Sequence, residues 1–450
     1  MAGLEAQLQE LEVRLAELTN QLNQNSQNSS KPPSSDAPWK KPSNRKPRSP
    51  RQRGGQPGHA GHSRELLPAE RVNKTVRYFP QQCFNCGKPL PQRPQAGAPE
   101  PTCHQVVELP EQPLQVTQYE GWACRCGKCG HVTRAEVPPE ILAHSLGPRI
   151  TTVIALLAAA YHMSQRHVQD FLATAWGVPL GLGSIPKHEQ EVAVVLKPDY
   201  EKARQAVCEA LVKNVDETGW KCGAQLHWLW VVATVSVAFY QITKSRGRRA
   251  FHEVLRSVKH VLTTDRWGAY SEWDLERHQL CWAHLGRDFQ RFYEMTGCCQ
   301  DVGRAGRRAH KKLFALWHQY KDAILDRKEL VRQMDPVRKR LERALQRGRD
   351  SPDKKARRFC KRLLKVYPAL WTFVRVEGVE PTNNLAERMV RPAVLWRKVS
   401  FGNNSKKGCE FVAIILTLVQ TLRLQNKPVL ESIAQAVQAA REGKPVPSII

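Results

Sequence analysis

Three acidic residues carry the chemistry this chain could do. Val261-Leu-Thr-Thr-Asp265 is a short apolar, β-branched run ending in one aspartate, and Gly268-Ala-Tyr270 then breaks the strand pattern. Ala210-Leu-Val-Lys-Asn-Val-Asp216 repeats the arrangement, with Glu217 beside it. Pro381-Thr-Asn-Asn-Leu-Ala-Glu387 reads as a helix start carrying a glutamate. Two aspartates at strand ends and a glutamate on a helix can hold two divalent ions. Carboxylates are the hard oxygen ligands Mg2+ or Mn2+ prefers, and a metal pair suits phosphodiester cleavage. In this reading Asp216 bridges the ions, and Asp265 and Glu387 are outer ligands. Each acid also has a plainer reading. Glu217 could replace Asp216, Asp265 could open a turn, and Glu387 could close a capping box or pair with Arg391. Asp288 and Glu380 are the reserve candidates for the third acid.

The elements that must position these acids follow from pattern. Residues 205–300 read β, β, β, α, β, β, α. Strand one ends at Asp216, Leu226–Thr234 and Val237–Thr243 form a hairpin, and a helix covers Gly247–Val258. A strand over His260–Thr264 precedes Asp265, another covers His278–Trp282, and a helix starts at Leu285. That order matches an RNase H-like mixed sheet, in which strands one and four lie side by side. A helical, basic segment at 301–375 interrupts the path to Glu387. From Arg304 to Lys365 it carries 22 Lys/Arg against 7 Asp/Glu. It reads as a DNA-clamping insertion in a catalytic domain spanning 205–425. Phe411–Leu424 is an apolar core helix, and residues 426–450 form a terminal helix and tail.

Upstream, Cys83-Phe-Asn-Cys86-Gly and Cys126-Gly-Lys-Cys129-Gly are two C-x-x-C knuckles. Together Cys83, Cys86, Cys126 and Cys129 would make a closed, structural zinc site in a zinc-ribbon domain over 66–140. Strand-like alternation from Gln115 to Trp122 suits that domain, and Cys124 and Cys103 are spare thiols. Residues 141–197 read as three short helices, Ile150–Tyr161, Gln165–Trp176 and one from Ser184 through Val195. They form a helical, helix-turn-helix-like, DNA-binding candidate. Leu4, Leu8, Leu11, Leu15, Leu18 and Leu22 form an a/d seam, so residues 1–24 read as a coiled coil that makes a homodimer or higher oligomer. Residues 25–65 are a Ser-, Pro-, Gly- and Lys/Arg-rich linker expected to be disordered.

The bulk numbers fit these parts. The chain has 450 residues and a net charge of +27, which points to a polyanionic partner, first of all double-stranded DNA. No run of 18 uncharged apolar residues occurs and no signal peptide is read, so the expectation is a cytoplasmic, DNA-associated protein with no membrane contact.

Several segments resemble transposases of the insertion-sequence-66 family, which are DDE-type recombinases. They are Asn28-Ser-Ser-Lys-Pro-Pro-Ser-Ser-Asp36, Gly54-Gly-Gln-Pro-Gly-His59, both knuckles, Asp216-Glu-Thr-Gly-Trp220, Asp265-Arg-Trp-Gly-Ala-Tyr270, Cys281-Trp-Ala-His284-Leu and Asn383-Asn-Leu-Ala-Glu387-Arg. They run in family order across nearly the whole chain. The resemblance implies a leucine zipper, a zinc-binding domain and a catalytic domain whose Asp, Asp, Glu triad falls on Asp216, Asp265 and Glu387. It also implies binding to the terminal inverted repeats of an insertion sequence, then strand cleavage and strand transfer. The alternative is a zinc-containing DNA-binding relative that no longer cuts. Cys281 and His284 resemble a C-x-x-H signature and are read as structural support near the site, not as zinc ligands. After Glu387, Lys398-Val-Ser-Phe-Gly-Asn-Asn-Ser405 departs from the commoner family version.

Overall fold

The computed structural model describes residues 66–94, 99, 101–110, 114–129, 131–256, 260–270 and 273–450. The expected coiled coil (1–24) and linker (25–65) lie outside the described residues. The chain divides into two compact units, one of residues 42–117 and one that includes residues 118–450.

In the smaller unit the Cys83–Gly87 turn is closed by backbone bonds from Gly87 N to Cys83 O (2.8 Å) and from Cys83 N to Lys88 O (2.9 Å). In the larger unit, β1 (Ala123–Arg125) and β2 (Val132–Arg134) pair antiparallel around Cys126–Cys129. The strand expected over Gln115–Trp122 is not formed; pairing begins only at Ala123. Alternation alone does not make a strand here, because residues 115–122 are exposed and bury no face.

After a single helical turn at Pro139–Leu142, three longer helices follow: α1 (Pro148–Ala159), α2 (Gln165–Trp176) and α3 (Ser184–Glu209). Ser164 caps α2 by accepting from His167 N, and Gly177 closes it at φ +65°. α3 corrects the sequence reading. It does not stop at Val195 but continues through Pro198 to Glu209. Pro198 costs the helix one backbone bond, and the buried row Val192, Leu196, Tyr200, Ala203 and Val207 offsets it. Its first turns share a small core with Ile154, Val168 and Leu172, and the rest enters the main core. The compact three-helix motif expected there is therefore replaced by two short helices and one long one.

The central sheet has five strands: β3 (Val212–Cys222), β4 (Gln225–Ala233), β5 (Ala238–Thr243), β6 (Val261–Thr264) and β7 (His278–Leu280). Their spatial order is β5-β4-β3-β6-β7. β3, β4 and β5 form an antiparallel meander, while β6 and β7 add in parallel on the other side of β3. The helix between β5 and β6 is short, α4 (Arg248–Val254). Asp216 is not the last residue of its strand: β3 runs on to Cys222 because β4 pairs with it throughout the hairpin. What ends near Asp216 is the neighbour β6. Edge strand β5 is covered by α10 (Lys406–Leu424), whose Thr421 and Thr417 hydroxyls accept from Ala238 N (3.1 Å) and Tyr240 N (3.0 Å).

Beyond β7 come α5 (Trp282–Tyr293), α6 (Gly297–Lys321), α7 (Arg327–Arg349) and α8 (Lys354–Lys365). They form a second core around Trp282, Phe289, Trp371 and Phe373, which reaches the sheet through Val261 and Leu280. Gly303 and Gly306 let α6 approach α5. A Cβ on Gly306 would lie 2.0 Å from the Phe289 ring, and one on Gly303 would lie 2.1 Å from Tyr293 N. Then α9 (Asn384–Ser400) carries Glu387 back to the sheet, and α11 (Val429–Arg441) ends the fold. The architecture is mixed α/β.

Candidate active site

The parallel register sets the two aspartates level. Val212 faces Val261, Lys213 faces Leu262 and Asn214 faces Thr263. Two steps further along, Asp216 stands beside Asp265, which directly follows β6. Adjacent strands lie about 4.8 Å apart, so the two carboxylates share one small region.

Period two in β3 then separates Asp216 from Glu217. Thr218 accepts from Arg397 (3.0 Å) and Trp220 packs edge-on against Trp396, so the even positions of β3 face α9. Asp216 shares that face with α9 and its first-turn acid, Glu387. Glu217 points the other way. It is buried and accepts from Arg246 Nε (2.6 Å) at one oxygen and from the Tyr270 hydroxyl (2.5 Å) at the other. Arg246 is itself held between aromatic rings, 4.0 Å from Trp267 and 4.9 Å from Trp228.

Asp265 and Glu387 both act electrostatically on Asp216. The Asp216 carboxyl is pushed up to about 7, first by burial, then by Glu217, with Asp265 and Glu387 adding to the same effect. Its bond from Glu217 N (2.9 Å) opposes this only in part. The surrounding acids have arginine or lysine partners. Glu217 pairs with Arg246, Asp288 with Arg266 and Arg291, and Glu380 with Lys321. Among the described residues, none of Asp216, Asp265 and Glu387 pairs with Lys or Arg. The alternative pairing of Glu387 with Arg391 is not formed; its neighbour is His284 Nδ1, at 3.5 Å.

A residue that the sequence reading missed ties these pieces together. Asn383 is 1% exposed and precedes α9. Its Nδ2 donates to Val215 O (2.7 Å), its Oδ1 accepts from Asn214 Nδ2 (2.9 Å), and its backbone N–H meets Cys281 Sγ (3.2 Å). It makes no side-chain cap bond to its own helix. The Asn383-Asn384 pair signals a helix start and belongs to a family segment, and neither signal points to this role.

Cys281 is buried at the start of α5, and burial pushes its thiol up. His284 is pushed down, first by burial. The segment that departs from the commoner family pattern is structural. Gly402 adopts φ +126° against Lys221 O, Asn403 N donates to that oxygen (3.0 Å), and Asn403 Oδ1 accepts from Trp220 Nε1 (3.1 Å). It finishes the far end of β3.

The model of the Transposase IS66 family matches residues 144–410, more than half the chain, from just before α1 into α10. The chain belongs to that family. All three acids, Asn383 and the Cys281/His284 pair lie inside the matched region. A family of unknown function matches residues 1–65. Among curated proteins, the uncharacterized protein y4qI of Sinorhizobium fredii is 24% identical over 251 residues, 49% of this chain and 45% of that protein. The chain thus matches less than half the length of this IS66-family chain's curated relative.

Each knuckle turns backbone N–H groups toward its first cysteine sulfur. Backbone N–H groups of Cys86 and Asn85 lower Cys83, and those of Cys129 and Lys128 lower Cys126. Among the described residues no helix is long and apolar enough to cross a membrane.

Proposed function

We propose that the chain is a DNA transposase with an RNase H-like catalytic core. It binds the terminal inverted repeats of its insertion sequence and carries out metal-dependent strand cleavage and strand transfer. The observation that supports the reading is a trio of acids that act on one another: among the described residues Asp216, Asp265 and Glu387 pair with no Lys or Arg, while Glu217, Asp288 and Glu380 each do. Like charges held this close raise each other's cost of ionisation unless cations sit among them. The donor set, three carboxylates, fits Mg2+ or Mn2+.

Asp216, Asp265 and Glu387 would hold two such ions, which when bound activate the attacking oxygen and stabilise the leaving oxygen of a phosphodiester. The chain's own residues do the rest. β3 and β6 fix the two aspartates, and Asn383 fixes the helix that presents Glu387. Glu217 orients Arg246 and Tyr270 behind the Asp265 turn. The basic insertion supplies phosphate contacts. On α8, Lys354, Lys355, Arg358, Lys361, Arg362 and Lys365 are exposed, and its Phe359 packs under Arg266, the neighbour of Asp265. The helix that carries this one-sign charge thus meets the residue after Asp265.

The zinc ribbon of Cys83, Cys86, Cys126 and Cys129 is part of the same proposal, as a structural site; the amide-to-sulfur bonds at each knuckle support it. So is self-association through the leucine seam at residues 1–24.

The test is cleavage of a DNA fragment carrying the element's own end. Nicking in Mg2+ or Mn2+, abolished by EDTA, is expected. Specific end binding with no nicking in either metal would mean the chain is a non-catalytic DNA-binding relative.

A further inference from the structure

A second ligand cluster lies next to the trio and is chemically unlike it. Cys281, His284 and Glu387 present one sulfur, one imidazole nitrogen and one carboxylate oxygen, all within 4.8 Å of one another. They come from three places in the chain: the end of β7, the first turn of α5 and the first turn of α9. Two of the three atoms are buried without any hydrogen-bond partner, His284 Nδ1 and Glu387 Oε1. Their separation of 3.5 Å is too long for a good hydrogen bond. It is close to the edge of a zinc tetrahedron, since bonds of about 2.0–2.2 Å to nitrogen and oxygen put the ligand atoms about 3.3–3.5 Å apart. The sulfur already receives a backbone N–H from Asn383, as metal-bound thiolates do.

We propose that Cys281, His284 and Glu387 bind a zinc ion, with water in the fourth position. The ligand set selects for zinc: thiolate and imidazole are poor ligands for Mg2+ and good ones for zinc. Binding breaks the Cys281 S–H bond and forms a Zn–S bond, and the thiol proton goes to solvent. The ion would clamp the N-termini of α5 and α9 together and hold Glu387 by Oε1. A carboxylate has two oxygens, so the second stays available to the ions of the proposed trio. The site shares Glu387 with that reading, and the two fail separately.

The experiment is metal content of the full chain, purified with zinc and dialysed, measured for wild type, Cys281→Ser, His284→Gln and Asp216→Asn. Thiolate-to-metal charge-transfer absorption after cobalt substitution is read on the same samples. The ribbon cysteines are present in all four and cancel. Cys281→Ser and His284→Gln should each lose one equivalent of zinc relative to wild type. Cys281→Ser should also lose cobalt–thiolate absorption, with circular dichroism unchanged. Asp216→Asn should keep the full zinc content, whether or not it cleaves DNA. Equal zinc in wild type, Cys281→Ser and His284→Gln would overturn the inference and leave His284 and Glu387 as a plain ion pair. Should Cys281→Ser misfold, His284→Gln, which keeps the sulfur, decides by zinc content alone.

Discussion

Asn383 Nδ2 donates to Val215 O at 2.7 Å, one residue before Asp216 on β3. The same side chain accepts from Asn214. A helix whose only tasks were capping and packing would not need this bond. It sets the height of α9, and with it Glu387, against the strand that carries Asp216.

Asn383→Ala should therefore act on geometry. It leaves Asn214 Nδ2 and Val215 O buried without partners, at about 1–3 kcal/mol for each group. Chemical denaturation should show that loss. Cleavage of an end-bearing DNA should fall at least tenfold, while DNA affinity stays within about twofold. Wild-type cleavage by a folded Asn383→Ala chain would show that Glu387 is positioned by other contacts.

A pH dependence follows from Asp216. Its folded pKa, about 7, lies above the ordinary carboxylate value. The folded state thus holds a proton that the unfolded state releases, and its contribution to stability is lost as pH rises from about 4 to about 7. Metal-free protein should become less stable across that window. Asp216→Asn should flatten the profile and be more stable than wild type at pH 8, by about 1–3 kcal/mol. Added Mg2+ should stabilise wild type at pH 8 and not the variant. Identical pH profiles for the two chains would rule out a strained carboxylate at this position.

The helical insertion should set the salt dependence of DNA binding. Lys361→Glu, Arg362→Glu and Lys365→Glu together reverse the exposed face of α8 and leave its buried residues alone. Each phosphate contact contributes about −0.9 to the log–log slope of affinity against salt. The triple variant should bind more weakly and with a slope flatter by about 2–3. An unchanged slope would put the DNA elsewhere.

Gly306→Ala tests the close approach of α6 to α5. The new methyl meets the Phe289 ring head-on, and Phe289 is fully buried. Overpacking of this kind costs about 1–3 kcal/mol. Thermal unfolding should register it; Ala tolerated with no loss would mean the two helices can separate locally.

Much of the sheet was legible because its signals are local. The β-branched run before Asp265, the hairpin of Leu226–Thr234 with Val237–Thr243 and the Ser164/Gly177 caps are written in neighbouring residues. What was not legible depends on distant partners. Where β3 ends is decided by β4, whose pairing carries it past Asp216 to Cys222. α3 outlasts Pro198 because the main core receives its second half. Strand alternation at Gln115–Trp122 fails for want of a face to bury. At the site, the acids could be picked out singly, but the reasons for choosing among them could not. Glu217 is held by Arg246 and Tyr270, from 29 and 53 residues away, and Asp288 by Arg266, 22 residues away. The link between Asn383 and β3 spans 168 residues and leaves no trace in spacing or periodicity.

The central claim is that Asp216, Asp265 and Glu387 act as one metal-holding unit. The most direct measurement is Mg2+-dependent cleavage of end-bearing DNA by Asp216→Asn, Asp265→Asn and Glu387→Gln, with Glu217→Asp as a control that keeps the negative charge on the opposite face of β3. Each amide preserves shape and removes one charge from a site built for dications. All three should lose cleavage by about 10²-fold or more and still bind the DNA, while Glu217→Asp, if folded, should keep most of its activity. Normal cleavage by Glu387→Gln with Asp216→Asn dead would contradict the account and detach the α9 glutamate from the chemistry.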